Sequence, residues 1–150
     1  MRLVVHRVSS ASVTIAGHKT ASISRGLLVL VALEEGDTGE TGARLARKLS
    51  SARLFSDDSG KLNLDVRQVG GRVLVVSQFT LLGTLDRGTR PDFHRAAAPA
   101  VARPLYELFL GQLESELNES VARGEFGADM QVALVNDGPV TLVLDSPGRL

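Results

Sequence analysis

Three segments of this 150-residue chain carry side chains that could do chemistry. The first is Ser77-Gln78-Phe79-Thr80, which places two hydroxyls and an amide at the end of the apolar run 73–76. A polar strand end beside an irregular loop offers a ligand hydroxyls, an amide and backbone N–H groups. Strand alternation turns Ser77 and Phe79 one way, and Gln78 and Thr80 the other. The second is Gly138-Pro139, inside Asn136-Asp137-Gly138-Pro139. An X–Pro bond has a cis penalty of only about 0.5–1 kcal/mol, so a cis bond can serve there as a fixed feature. A plain turn with a trans proline is the competing reading. The third is a set of basic groups: Arg2, Arg7, Lys19 and Arg25 in the acid-free stretch 1–33, then Arg44, Arg47, Lys48 and Arg53, then Arg87, Arg90, His94 and Arg95. Such groups can neutralise phosphates, although a solvated surface reads the same way.

What is missing narrows the chemistry. The chain has no G-x-S-x-G elbow, no H-E-x-x-H, no G-x-x-x-x-G-K-[ST] loop and no G-x-G-x-x-G turn. It has no cysteine, which excludes a thiol nucleophile, a disulfide framework and a cysteine-held zinc. His6, His18 and His94 lack metal-ligand spacing, so neither a metal nor a cofactor is expected. Asp57 and Asp58 fall in a turn, where aspartate serves the backbone. Nothing local announces a Ser–His–Asp triad, though one could still assemble in space.

Net charge is zero, with 17 basic and 17 acidic residues, but it is unevenly spread. Residues 1–95 carry 14 Lys/Arg against 9 Asp/Glu; residues 96–150 carry 3 against 8. A groove reader of long duplexes is usually far more basic, so a polyanion that binds here would contribute few phosphates, as an end or a small ligand does. Hydrophobic residues at 43% and charged residues at 23% mark a globular protein and exclude collagen-like or disordered classes. The longest apolar run, 27–33, is seven residues, against roughly 20 for a membrane-spanning helix. MRLVVHRVSS lacks a secretory h-region, so a cytoplasmic protein away from membranes is expected.

The elements that must position these residues follow from periodicity. Leu3, Val5, Val8, Val13 and Ile15 alternate, and Ala16-Gly17-His18-Lys19 is turn chemistry between two strands. LLVLVAL predicts a strand buried on both faces. Leu45, Ala46, Leu49 and Ala52 recur at helical steps with cations alongside. RVLVVSQF at 72–79 predicts a central strand, and 82–98 an irregular, functional loop. Leu105, Leu108, Phe109, Leu113 and Leu117 predict a long helix, with Pro99 near its start and Pro104 in its first turn or at a kink. Segments 130–135 and 140–144 predict two last strands joined by a turn at 136–139. The expected fold is α+β, a single domain over 1–150 with a mostly antiparallel or mixed β-sheet packed with two main helices.

SQFTL at 77–81 and NDGPVT at 136–141 resemble the two signature motifs of the D-aminoacyl-tRNA deacylases. The resemblance extends through MRLVVHRV, GKLN at 60–63, RGTRPDF at 87–93, LYELF at 105–109 and GEFGADMQV at 124–132. It implies the family's fold and its reaction, hydrolysis of the ester between a D-amino acid or glycine and the 3′-terminal adenosine of mischarged tRNA. It also implies a homodimer in which a cis Gly138-Pro139 reaches into the partner's site. There the two carbonyls would reject an L side chain sterically. Ser77, Gln78, Phe79 and Thr80 would form the catalytic pocket, with Asn136, Thr141 and Arg7 supporting the Gly-Pro element. Phe126 and Met130 would form an adenosine pocket. The ester's own 2′-hydroxyl could assist attack, and Thr80 is the rival nucleophile. His6 stands where the family usually has Gln, Leu62 where it often has Met, and Leu82-Gly83-Thr84 where it has small and acidic residues. Two other readings are a sister-branch editor with a trans Gly-Pro that acts on L-alanyl-tRNA, and a silent RNA-binding module of the same fold.

Overall fold

A computed structural model describes residues 1–146 of the chain. β1 (Arg2–Ile15) and β2 (His18–Ile23) form an antiparallel hairpin. Its turn uses two left-handed residues, Ala16 at φ 49° and Gly17 at φ 79°, the geometry that matches the twist of hairpin strands. β3 (Gly26–Ala32) then returns along the first half of β1, pairing Arg2 with Ala32 and Val8 with Gly26. β2 takes the second half, from Ala11 to Ile15. Together β2 and β3 occupy one edge of β1 from end to end.

β6 (Arg72–Ser77) lies parallel to β3, and β7 (Ala122–Arg123) parallel to β6. A parallel neighbour requires a crossover, and α1 (Gly39–Ser50) supplies it, followed by the small ribbon of β4 (Phe55–Ser56) and β5 (Leu62–Leu64). Thr38 caps α1 reciprocally with Thr41, each side chain bonding the other's backbone N–H at 3.3 Å. α2 (Pro99–Leu117) packs beside α1. This mixed sheet with two main helices is the α+β fold expected from the sequence.

β3 is buried on both faces, as its unbroken apolar run predicts. Leu27, Val29 and Val31 join Leu3, Val5, Val75, Leu45, Leu49, Phe109 and Leu113 in a core between sheet and helices. Leu28 joins Val8, Val13, Leu74 and Val76 in a second cluster on the opposite face. Full burial of each such side chain contributes about 1.5–3 kcal/mol, which fixes the register of the central strands.

Three local expectations are corrected. β6 ends at Ser77, and Phe79–Leu82 turn into a 3-10 helix, so the alternation assigned to Ser77 through Thr80 does not apply. α2 starts at Pro99, before its apolar periodicity begins, which leaves Pro104 past the first turn. Pro104 is exposed, where water can meet the carbonyl its missing N–H leaves free. Finally, 130–135 and 140–144 are not a hairpin. They belong to one strand, β8 (Gln131–Asp145), which runs antiparallel to β1 along its whole length. Asn136 opposes Val8 and Thr141 opposes His6, so five steps of β8 span two steps of β1. Residues 137–140, three more than β1 can oppose there, leave the ladder as an outward excursion.

Candidate active site

The end of β6 opens into a cavity of about 670 Å³. Ser77, Gln78 and Phe79 line it together with Val31 of β3, Leu33 just beyond that strand, and the start of α2. Backbone bonds fix the polar segment. The Gln78 N–H donates to the Val31 carbonyl at 2.7 Å, Leu81 N–H to Gln78 at 3.2 Å, and Gly83 N–H to Thr80 at 3.0 Å. Arg2 ties the turn to the sheet, donating to the Leu81 carbonyl at 3.3 Å while its fork holds Asp145 at 2.8 and 2.9 Å. That guanidinium holds the Asp145 carboxyl below its ordinary range.

The Gln78 side-chain amide donates to the Thr80 hydroxyl. Thr80 is exposed and does not line the cavity; among the described residues its hydroxyl meets no imidazole or carboxylate. A hydroxyl without a base is a weak nucleophile. Ser77, Gln78 and Phe79 are therefore brought together on the cavity wall, with Thr80 behind them.

Phe126 and Met130 both line the cavity as well. Met130 fits because residue 124 is glycine: a Cβ there would stand 2.5 Å from the Met130 sulfur. The Phe126 ring rests against Tyr106 with centroids 5.7 Å apart. Tyr106 is buried and donates its hydroxyl to the Val75 carbonyl at 3.3 Å; burial, then the nearby Glu107 charge, push its pKa up to about 12. It is a neutral structural donor at physiological pH.

Two wall residues escaped the sequence reading. Phe93, from the irregular loop, meets Phe79 edge to face at 5.1 Å and lines the cavity. Arg103, from the first turns of α2, lines it too. An aromatic between Asp92 and His94 in a polar loop was a legible signal for Phe93; Arg103 had none apart from its charge.

Gly138 and Pro139 do not line this cavity. β8 meets it at Val132, six residues before Gly138. The Gly138–Pro139 bond is cis. A polar net holds the excursion's base. The Asn136 amide donates to the Arg7 carbonyl at 2.8 Å and to Val140 at 3.3 Å, while its oxygen accepts from Thr141 at 3.3 Å. Thr141 has one proton to give, so His6 Nδ1, 3.1 Å from the same hydroxyl, must carry the hydrogen of that bond. Burial lowers the His6 pKa, which favours the neutral ring in that tautomer. Arg7 completes the net: it donates to the Asp137 carbonyl at 3.0 Å and the Leu54 carbonyl at 2.8 Å, and pairs with the Asp137 carboxylate at 3.1 Å.

The family model described as D-Tyr-tRNA(Tyr) deacylase matches residues 4–145. The chain belongs to the D-Tyr-tRNA(Tyr) deacylase family. A D-aminoacyl-tRNA deacylase of Akkermansia muciniphila is 55% identical over 149 residues, covering 99% of both chains. One from Chlorobaculum parvum is 50% identical over 99% of this chain and all of its own. Among solved structures, one titled "c-Myc DNA Unwinding Element Binding Protein" superposes with a TM-score of 0.90 at 41% identity, over 98% of this chain and 99% of the other. A probable eukaryotic D-amino acid tRNA deacylase shares the fold at a TM-score of 0.84 and 17% identity, over 95% and 97%. No described helix of this deacylase-family chain is long and apolar enough to cross a membrane.

Proposed function

We propose that this enzyme hydrolyses the ester between a D-amino acid, or glycine, and the 3′-terminal adenosine of tRNA, and spares the L-aminoacyl ester. Family membership and full-length relatives named D-aminoacyl-tRNA deacylase support the reaction. The observation that carries the site assignment is the cavity at the end of β6. Its volume is in the range of small-ligand sites, and its walls join aromatic and apolar side chains to one polar turn. In this reading Phe126 and Met130 receive the adenine. Ser77, Gln78 and Phe79 orient the ester and offer hydrogen bonds to the developing oxyanion, with Thr80 bracing Gln78. Water adds to the ester carbonyl, the carbon–oxygen bond to the ribose breaks, and the amino acid leaves with the tRNA hydroxyl restored. Because Thr80 has no base beside it, the neighbouring 2′-hydroxyl of the terminal ribose assists the attack.

Selection against L side chains belongs, in this reading, to the main chain of Gly138 and Pro139 acting in a second copy of the protein. The absence of Gly138 and Pro139 from the lining of their own cavity supports such an exchange. So does β8, which pairs only with β1 and leaves its outer edge open among the described residues. Leu134, Val135, Leu142 and Val143 on that strand are exposed, Val135 and Val143 at 57% each. A long apolar edge strand calls for a partner. We assign the homodimer to that edge, the whole chain to one functional domain, and the protein to the cytoplasm.

Incubation with D-tyrosyl-tRNA and L-tyrosyl-tRNA tests the function. Release of the D-amino acid alone is expected. Equal cleavage of both esters refutes chiral selection, preference for L-alanyl-tRNA selects the sister activity, and no release of any amino acid selects a silent RNA-binding module.

A further inference from the structure

The cavity is apolar along most of its lining, with one cation in it. Arg103 is an exposed residue of α2, and its guanidinium carbon stands 4.9 Å from the centre of the Phe126 ring. One of its terminal nitrogens donates to the Phe126 carbonyl at 3.4 Å. Arg103 and Tyr106 are three residues apart on one side of α2, and both meet the Phe126 ring. Among the described residues, the remaining N–H groups of the guanidinium have no hydrogen-bond partner.

Several other arginines are occupied, although Arg25, Arg53, Arg87 and Arg90, none of which lines the cavity, also lack a carboxylate partner among the described residues. Arg2, Arg7, Arg67, Arg72, Arg95 and Arg123 each lie against a carboxylate. Arg103 has no carboxylate within salt-bridge distance among the described residues, although Asp129 also lines the cavity. Contact with the Phe126 ring restrains the guanidinium at the cavity lining, and an arginine so held can bind phosphate as a fork. The start of α2 borders the same cavity, with Ala98 giving no side-chain cap, and adds partial positive charge in the same sense.

We propose that Arg103 binds the 5′-phosphate of the nucleotide whose base occupies the cavity. This inference rests on the reading of that cavity as the site for the terminal adenosine. It makes Arg103 a substrate-positioning residue, so that the enzyme takes a phosphorylated chain end in preference to a bare nucleoside ester.

Equilibrium binding tests this without any turnover. Calorimetric titration of the unaltered protein with adenosine 5′-monophosphate and with adenosine should show the monophosphate bound about tenfold more tightly, as a charge-assisted phosphate contact provides. Arg103→Ala should abolish that difference, leave adenosine binding unchanged and leave the melting temperature unchanged. Arg103→Lys, which keeps the charge without the fork, should retain part of the preference. Arg44→Ala, on α1 and paired with Glu40, should retain all of it. With D-tyrosyl-tRNA, Arg103→Ala should raise KM about tenfold at nearly unchanged kcat, and lower the slope of log KM against log salt by about 0.7. Equal binding of the two ligands by the unaltered protein overturns the proposal. So does a loss in Arg103→Ala that is the same for adenosine and its monophosphate, which would make Arg103 only a prop for Phe126. If the protein binds the monophosphate through Arg103 yet cleaves no D-aminoacyl ester, the functional reading fails and the phosphate site stands.

Discussion

Replacing Arg7 by alanine tests whether the 137–140 excursion is held by side chains or stands on its own. The Arg7 side chain is 12% exposed, whereas that of Asp137, its ion-pair partner, is 50% exposed. The ion pair is therefore screened and contributes less than about 1 kcal/mol. The two bonds to the Asp137 and Leu54 carbonyls count for more, each charge-assisted and worth about 1.5 kcal/mol at the lower end of the usual range. Leu54 is buried, so the truncation also strands an acceptor. The expected cost is about 3 kcal/mol in total, equivalent to roughly 6–12 °C in melting temperature for a chain of this size. If the excursion must be fixed for turnover, the same energy corresponds to as much as about a hundredfold loss in D-tyrosyl-tRNA hydrolysis. Calorimetry and a deacylation time course measure the two effects separately. Arg7→Lys should fall between, since an ammonium cannot span both carbonyls as the fork does. An Arg7→Ala protein that melts within 1–2 °C of the original, a shift worth under about 1 kcal/mol, would refute the reasoning.

Acid should loosen the site from its anchor. Asp145 is depressed by its hydrogen bonds to Arg2, and Asp65 by those to Arg67. Groups with lowered folded-state pKa values stabilise above the unfolded carboxylate value, near pH 4, and lose that contribution as pH falls through their folded values. Melting temperatures measured from pH 5 to pH 2.5 should therefore drop below about pH 4, and Asp145→Asn should flatten that drop. Thr80→Ala should retain substantial activity, because it removes the acceptor of the Gln78 amide and no nucleophile. A D-aminoacyl-tRNA ending in 2′-deoxyadenosine should be nearly inert, and the opposite pair of results would make Thr80 the nucleophile.

The parts of the fold that announced themselves were those where one local rule acts alone. Alternation in β1, the Ala16-Gly17 turn and the unbroken apolar run of β3 each report a burial pattern that no distant residue alters. Thr80 shows where that stops. Its orientation depended on β6 continuing past Ser77, and the strand ends there because Gln78 closes onto Val31 and the chain turns into a 3-10 helix. Alternation cannot reveal that turn. Segments 130–135 and 140–144 mislead for a related reason. Asn136-Asp137-Gly138-Pro139 has the composition of a hairpin turn, and composition does not say whether the chain reverses. Reversal is decided by what β1 offers: an edge of fourteen residues, long enough to pair with both halves of β8 in one direction. Given that edge, continuing the ladder satisfies more backbone groups than folding back would, and residues 137–140, three of them surplus, are pushed outward, where Arg7 and Asn136 gather them. The length of the first strand thus dictates the excursion at the last one. The signature residues gave its position and chemistry; the reason it projects from the sheet lies about 130 residues away, in a strand that carries Arg7 and His6 to its base.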